Sequence, residues 1–134
     1  MMKTRLLSRA LAAAGAVLAL ASQAPAQSMY PMVDEGITFS DRKAVMLTVT
    51  NPYQSAETFR LEAFEQDYAT PTGGVQITPD ELTLGSEASR RIRVIFEVPE
   101  KERIIAVCVQ PVDEDAQVVP RVCGRYAACR AGAR

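Results

Sequence analysis

The sequence predicts an all-β fold: a single immunoglobulin-like β-sandwich of about seven strands that follows a cleaved signal peptide. Two patterns favour this fold. From Gln27 onward, apolar and polar residues alternate with period two, and turn residues interrupt the alternation at intervals of roughly ten residues. The length of 134 residues is also typical of one domain. No convincing helix is predicted after the signal segment.

The first 26 residues have the features of a secretory signal peptide. Three basic residues precede an apolar run over residues 10–21, and the small tripeptide Ala-Pro-Ala follows at residues 24–26. The apolar run has 12 residues, whereas a helix needs about 20 to cross a bilayer. We therefore expect cleavage after Ala26, no membrane span, and an exported domain formed by residues 27–134.

The first half of this domain predicts three strands. Residues 32–39 form a broken first strand. Residues 44–50 alternate cleanly, with inward side chains at the odd positions, and this strand ends at Asn51-Pro52 because proline cannot donate a ladder hydrogen bond. The third strand covers residues 59–63, where phenylalanine, leucine and alanine share one face.

The second half predicts the remaining strands in the same way. Proline and glycine mark a loop at residues 71–74, and proline marks a turn at residues 99–102. Between these turns and after them, apolar residues again alternate with polar ones. The predicted segments are a short strand at 75–78, a kinked segment at 79–85, and strands at 92–96, at 105–109 and within 117–126.

The composition excludes several kinds of active site. The chain has no histidine, no tryptophan and only three cysteines, which rules out a Ser-His-Asp triad, a Cys-His pair and a His-ligated metal site. The predicted signal peptide takes three of the 15 basic residues, which leaves 12 against 16 acidic residues and makes nucleic acid an unexpected partner. We therefore expect a binding protein rather than an enzyme, without a metal or another cofactor.

Several short motifs occur in an order and spacing that resembles a known family. They are Tyr30-Pro31-Met32-Val33, residues 46–51 (Met-Leu-Thr-Val-Thr-Asn), Ile77-Thr78-Pro79, residues 82–84 (Leu-Thr-Leu), Ile92-Arg93-Val94, and Glu102-Arg103 ahead of Ile105, Val107 and Val109. Together these motifs resemble the N-terminal domain of the periplasmic pilus-assembly chaperones of the chaperone–usher family, and most of all its archaic branch.

The resemblance implies a function as well as a fold. It implies an immunoglobulin-like domain that binds pilus or fimbrial subunits by lending them a β-strand during fibre assembly. The partners implied are fibre subunits, with an outer-membrane usher or a companion chaperone. Strand donation is a form of β-augmentation, in which main-chain hydrogen bonds supply affinity. The alternative is a structural or adaptor immunoglobulin-like periplasmic domain without strand donation.

The sequence departs from the family in two respects. Family members carry two such domains, whereas this chain matches the first. In the family, a basic residue of the first strand and another of the last strand hold the subunit's terminal carboxylate. Residues 27–39 contain no basic residue and offer Asp34 and Glu35 instead. Arg121 or Arg125 can supply the other half of this anchor, or both can be solvated residues of an outward face.

The last strand is predicted to be an exposed edge that pairs with a subunit. Val118, Val122 and Tyr126 would offer side chains to the partner, and the two arginines of this strand would be available for its carboxylate. Pro120 suits an edge strand because it cannot donate to a ladder. The same proline and arginines can equally protect an edge against pairing.

The cysteines are assigned by hairpin register. If residues 104–111 and 118–126 pair around a loop at 114–117, Cys108 lies opposite Cys123 and within disulfide range. The oxidising periplasm favours this bridge. A bridge between these two strands also resembles one found in some members of the chaperone family.

Two other states of the cysteines stay open. Cys108 and Cys123 can remain reduced on one face of the sheet, or Cys123 can form a bridge with Cys129 instead. In the favoured register, Cys129 lies opposite Glu102 and is the leftover thiol.

Overall fold

The computed structural model describes residues 27–115 and 117–132, and the regular structure of these residues is entirely β. Nine strands form two sheets that share one core. The predicted all-β sandwich is therefore confirmed, with nine strands in place of about seven. The predicted signal peptide, residues 1–26, lies outside the described residues. Within the described ranges, no helix is long and apolar enough to cross a membrane.

The strands alternate between the two sheets along much of the chain. In chain order they are β1 (Ser28–Tyr30), β2 (Val33–Thr38), β3 (Arg42–Thr50), β4 (Glu57–Phe64), β5 (Val75–Thr78), β6 (Glu81–Leu84), β7 (Ser89–Glu97), β8 (Glu102–Pro111) and β9 (Val122–Arg130). The four-stranded sheet has the order β1-β3-β7-β5, and the five-stranded sheet has the order β2-β9-β8-β4-β6.

The predicted first strand is divided between the two sheets. β1 pairs antiparallel with β3 in the four-stranded sheet, and β2 pairs parallel with β9 in the five-stranded sheet. Pro31 lies at the crossing point between them. Because proline has no N–H for a ladder, it is suited to the position where the chain leaves one sheet and enters the other. This break accounts for one of the additional strands.

The period-two alternation forms the core as predicted. Leu47 and Val49 of β3 and Ile92, Val94 and Phe96 of β7 are fully buried. The five-stranded sheet contributes to the same cluster the residues Phe59, Leu61, Leu82, Leu84, Ile105, Val107, Val109, Tyr126 and Ala128. Each fully buried large apolar side chain contributes about 1.5 to 3 kcal/mol to folding, so this inter-sheet layer holds the sandwich together.

The β8–β9 hairpin has the register that the sequence predicts. Cys108 lies opposite Cys123, and Glu102 lies opposite Cys129. The Cα atoms of Cys108 and Cys123 are 4.0 Å apart, and the two sulfur atoms are bonded. Cys129 is an exposed free cysteine. The predicted Cys108–Cys123 bridge, with Cys129 left over, is therefore present in the structure.

The bounds of the last strand differ from the prediction. β9 begins at Val122 and ends at Arg130, so the predicted bounds are wrong at both ends, and the predicted short loop is wrong as well. The connection between β8 and β9 covers residues 112–121, which we call the connecting segment. The hairpin register would place Pro111 opposite Pro120, and neither residue has an N–H to donate. The ladder therefore cannot continue into this segment.

Candidate binding edge

β2 lies at one edge of the five-stranded sheet. One side of the strand pairs in parallel with β9, from Val33 opposite Arg125 to Thr38 opposite Arg130. The other side has no strand partner among the described residues. The unpaired side of an edge strand presents N–H and C=O groups that another strand can bind.

The hydrogen bonds at the two ends of this pairing show which main-chain groups of β2 are free. The N–H of Arg125 donates to the C=O of Met32, and the N–H of Ala131 donates to the C=O of Thr38, both at 2.8 Å. Successive residues of a strand direct their N–H and C=O groups to opposite sides, so the even-numbered residues of β2 bind β9. The odd-numbered residues direct these groups away from the sheet, and they are Val33, Glu35 and Ile37.

The same part of the chain carries exposed apolar side chains. Five of the eight exposed large hydrophobic residues in the described part of the chain lie within residues 30–39. They are Tyr30 (77% exposed), Met32 (41%), Val33 (61%), Ile37 (63%) and Phe39 (93%). Exposed apolar residues that are grouped in this way mark interaction sites, whereas single ones are common on any surface. We call β2 and these five residues the β2 edge.

Charged groups flank the β2 edge on both faces. The carboxylate of Glu35 accepts a hydrogen bond from the guanidinium of Arg125 at 2.9 Å. On the inward face, Lys43 of β3 occupies the space beside Gly36, because a Cβ atom at residue 36 would be 2.8 Å from the Lys43 Nζ atom. Neither of the two ion pairs found among the described residues includes Lys43. The edge therefore combines apolar side chains with one paired acid and a basic group behind it.

The structure contradicts the prediction that the last strand is an exposed edge. β9 lies between β2 and β8 in the five-stranded sheet, so both of its sides are paired. Val122 is half-buried and packs against the core. Tyr126 is fully buried in the core. Tyr126 is therefore not available to a partner and Val122 is only partly accessible, whereas Val118 is 84% exposed in the connecting segment.

Tyr126 joins β9 to the chain between β1 and β2. Its hydroxyl donates a hydrogen bond to the C=O of Pro31 at 2.6 Å. Burial raises the pKa of this hydroxyl above its ordinary value, and the nearby carboxylate of Asp34 adds to the rise. The ring lies over Gly124, where a Cβ atom would collide with the Tyr126 hydroxyl and lie 2.9 Å from the Met32 carbonyl oxygen. This close packing fixes the start of β2 against β9.

The two arginines predicted to bind a partner's carboxylate contact groups of this chain in the structure. Arg125 binds Glu35, as described above. Arg121 donates to the C=O of Tyr68 at 2.7 Å, and its guanidinium lies 5.2 Å from the centre of the Phe64 ring. Phe64 covers a small cluster on the outer face of the five-stranded sheet, formed with Ala106 and the Cys108–Cys123 disulfide. Arg121 therefore contacts the Tyr68–Phe64 region and Arg125 contacts β2, so each guanidinium is engaged within this chain.

Comparisons with known proteins identify the fold. No family model matches the sequence, and no curated protein matches it. Among solved structures, the chaperone DraB of E. coli is similar with a TM-score of 0.63 and 18% identity, over 79% of this chain and 56% of that chain. A PapD-like domain of human CEP192 has a TM-score of 0.61 and 10% identity, over 100% of this chain and 99% of that one. This chain has the PapD-like fold.

The PapD-like fold also occurs in an archaic chaperone–usher system. A structure of the CsuC–CsuE complex between a chaperone and a tip subunit, from the Csu pili of Acinetobacter baumannii, matches 81% of this chain and 58% of that chain. Its TM-score is 0.60 and its identity is 13%. The fold implied by the resemblance to pilus chaperones is therefore confirmed. This chain spans less than two thirds of the length of the chaperone chains that it matches.

Proposed function

We propose that this protein is a periplasmic PapD-like chaperone that binds pilus or fimbrial subunits by β-augmentation, with the β2 edge as its pairing strand. The observation that carries the proposal is the open side of β2. Val33, Glu35 and Ile37 direct their N–H and C=O groups away from the sheet, as the pairing of the other residues with β9 requires. A subunit strand added beside β2 would extend the five-stranded sheet.

The side chains of the β2 edge fit an apolar partner. Val33 and Ile37 are exposed on the same face of the strand, on either side of Glu35, and Phe39 follows at its end with 93% of its surface exposed. In β-augmentation, main-chain hydrogen bonds supply affinity and alternate side chains supply the register of the partner. A fibre subunit that lacks one strand of its own fold offers such an apolar segment or groove. An outer-membrane usher or a companion chaperone is a further partner under the same proposal.

The connecting segment offers a second contact. Val118 is exposed there, beside a cavity of about 220 Å³ that is lined in part by Tyr53, Pro111 and Val119. A small apolar side chain of a partner would fit this cavity, which keeps Val118 as a subunit-binding residue of the proposal. The function proposed is binding, without a catalytic step.

The periplasm is supported by two features of the chain. The predicted signal peptide directs export, and the Cys108–Cys123 disulfide is stable in an oxidising compartment. Among the solved structures with the same fold, SfaE is a periplasmic chaperone, and CsuC forms a pre-assembly complex with a tip subunit.

A structural or adaptor role is the second candidate. It is favoured by the match to a PapD-like domain of a human protein, CEP192, which covers 100% of this chain and 99% of that one. It is also favoured by the internal contacts of Arg121 and Arg125. The chaperone function requires a fibre subunit as the partner, whereas the adaptor function does not.

The test is co-purification of the protein with fibre subunits from the periplasm of the cells that produce it. Replacement of Glu35 by proline removes the outward N–H at the middle of β2, and we expect the subunits to be lost from the purified protein. An adaptor that uses another surface would keep its partners in this variant.

A further inference from the structure

Gln27 is the first residue after the predicted cleavage site, and its side chain is buried. It is 2% exposed and is one of three buried polar residues in the described part of the chain. Its Nε2 atom donates to the C=O of Val109 at 2.9 Å and to the C=O of Pro120 at 2.7 Å. Val109 belongs to β8, and Pro120 lies near the end of the connecting segment. One amide group therefore ties together the two ends of the connection between β8 and β9.

A glutamine at the start of a chain can cyclise. Once the α-amine is free, its nitrogen attacks the side-chain Cδ atom, so that an N–Cδ bond forms. The Cδ–Nε2 bond breaks, and Nε2 leaves as ammonia with the proton given up by the attacking amine. The product is a pyroglutamate lactam, and the reaction requires neither an oxidant nor a reductant.

We propose that Gln27 is a modification site gated by folding: the native domain keeps the linear glutamine, and pyroglutamate forms in chains that have not folded. The leaving atom Nε2 is the atom that binds Val109 and Pro120. Ring closure would draw it away from both carbonyl groups, and its departure would leave them without this donor in a buried site. The inference rests on the signal peptide of the proposed function and, in addition, on its cleavage after Ala26.

The oxygen of the same amide is also buried. Gln27 Oε1 has no hydrogen-bond partner among the described residues. The amide group is therefore held in place through Nε2 alone, which is the atom that cyclisation removes.

The test uses the full-length gene, exported and purified from the periplasm. We expect the intact mass of a chain that begins at Gln27, without loss of one ammonia. The folded protein is then incubated beside a synthetic peptide of residues 27–33 in the same buffer. We expect ammonia loss to be slower in the protein than in the peptide by about tenfold or more, since at least one buried hydrogen bond must first be broken. Under denaturing urea, the two rates should become equal.

Two results would overturn the proposal. One is a folded protein that cyclises as fast as the peptide, or that leaves the periplasm already cyclised. The other is a chain that begins at a different residue, which would refute the predicted cleavage site at the same time. Neither result affects subunit binding at the β2 edge, so the failure of this inference is distinguishable from failure of the binding function.

Discussion

The carboxylate of Glu35 accepts a hydrogen bond from the guanidinium of Arg125 at 2.9 Å, across the parallel pair of β2 and β9. The arginine that the sequence offers to a partner's carboxylate thus binds a carboxylate of its own chain. Both side chains are well exposed, at 65% for Glu35 and 38% for Arg125. The pair therefore adds little to stability, and it leaves the main-chain groups of Glu35 free on the open side of the sheet.

Replacement of Arg125 by alanine should have a small effect on both stability and binding. We expect the free energy of unfolding to change by less than about 1 kcal/mol, because exposed ion pairs are screened by water and salt. Subunit binding should persist, because the β2 edge binds through its main chain. Urea unfolding and co-purification measure the two quantities. A loss of subunits from a stable Arg125→Ala protein would restore the arginine to the role of a carboxylate anchor.

Tyr126→Phe should destabilise the protein in a manner that depends on pH. The variant loses the hydrogen bond to the Pro31 carbonyl oxygen, which costs about 1 to 3 kcal/mol at neutral pH. Because the pKa of Tyr126 is raised in the folded protein, its contribution is complete below the ordinary pKa of 10.0 and is lost as pH rises above it. The difference from the wild type should therefore shrink at alkaline pH. A difference that is constant with pH would contradict the buried, protonated hydroxyl.

Two glycine substitutions should have opposite outcomes. A Cβ atom at Gly124 meets the Tyr126 hydroxyl and the main-chain oxygen of Met32, neither of which can move freely, so Gly124→Ala should cost about 1 to 3 kcal/mol. A Cβ atom at Gly36 meets the flexible end of Lys43, so Gly36→Ala should change stability by less than about 0.5 kcal/mol. Thermal unfolding of the matched pair measures both. Equal effects would show that the packing of β2 against β9 differs from the structure.

Aspartate substitutions should separate the connecting segment from β9. Val122 packs against the core, so Val122→Asp should destabilise the fold by about 1 to 3 kcal/mol through a partly buried charge. Val118 is exposed, so Val118→Asp should leave the unfolding midpoint nearly unchanged while weakening subunit binding. A stable Val122→Asp protein that loses its subunits would instead support an exposed last strand.

The local pattern of the sequence is sufficient to predict the core and one strand pairing. Leu47, Val49 and their counterparts in β7 follow strict alternation, and the facing positions of Cys108 and Cys123 follow from the register of a single hairpin. Both features depend on residues that are close in sequence or on the period of one strand. Alternation and hairpin register can therefore be read directly from one sequence.

The position of the β2 edge depends on a contact between distant parts of the chain. β2 pairs with β9 near the other end of the sequence, and this parallel pairing converts the predicted edge into an interior strand. The apolar residues of β2 also suggest the wrong orientation for the strand, because Val33 and Ile37 would be expected to face the core. The inward positions are instead taken by Asp34, Gly36 and Thr38, with Lys43 filling the space at the glycine. The sequence alone does not separate these outward apolar residues from core residues, because the face that they occupy is set by the pairing of β2 with β9.

The most direct test of the β2 edge compares Glu35→Pro with Glu35→Gln. Both variants lose the charge that binds Arg125, but only proline removes the outward N–H of residue 35. An edge strand tolerates proline where its N–H faces solvent, so both proteins should fold with nearly the wild-type unfolding midpoint. We expect fibre subunits to co-purify with the Glu35→Gln protein and not with the Glu35→Pro protein. Retention of subunits by a folded Glu35→Pro protein would contradict pairing through β2.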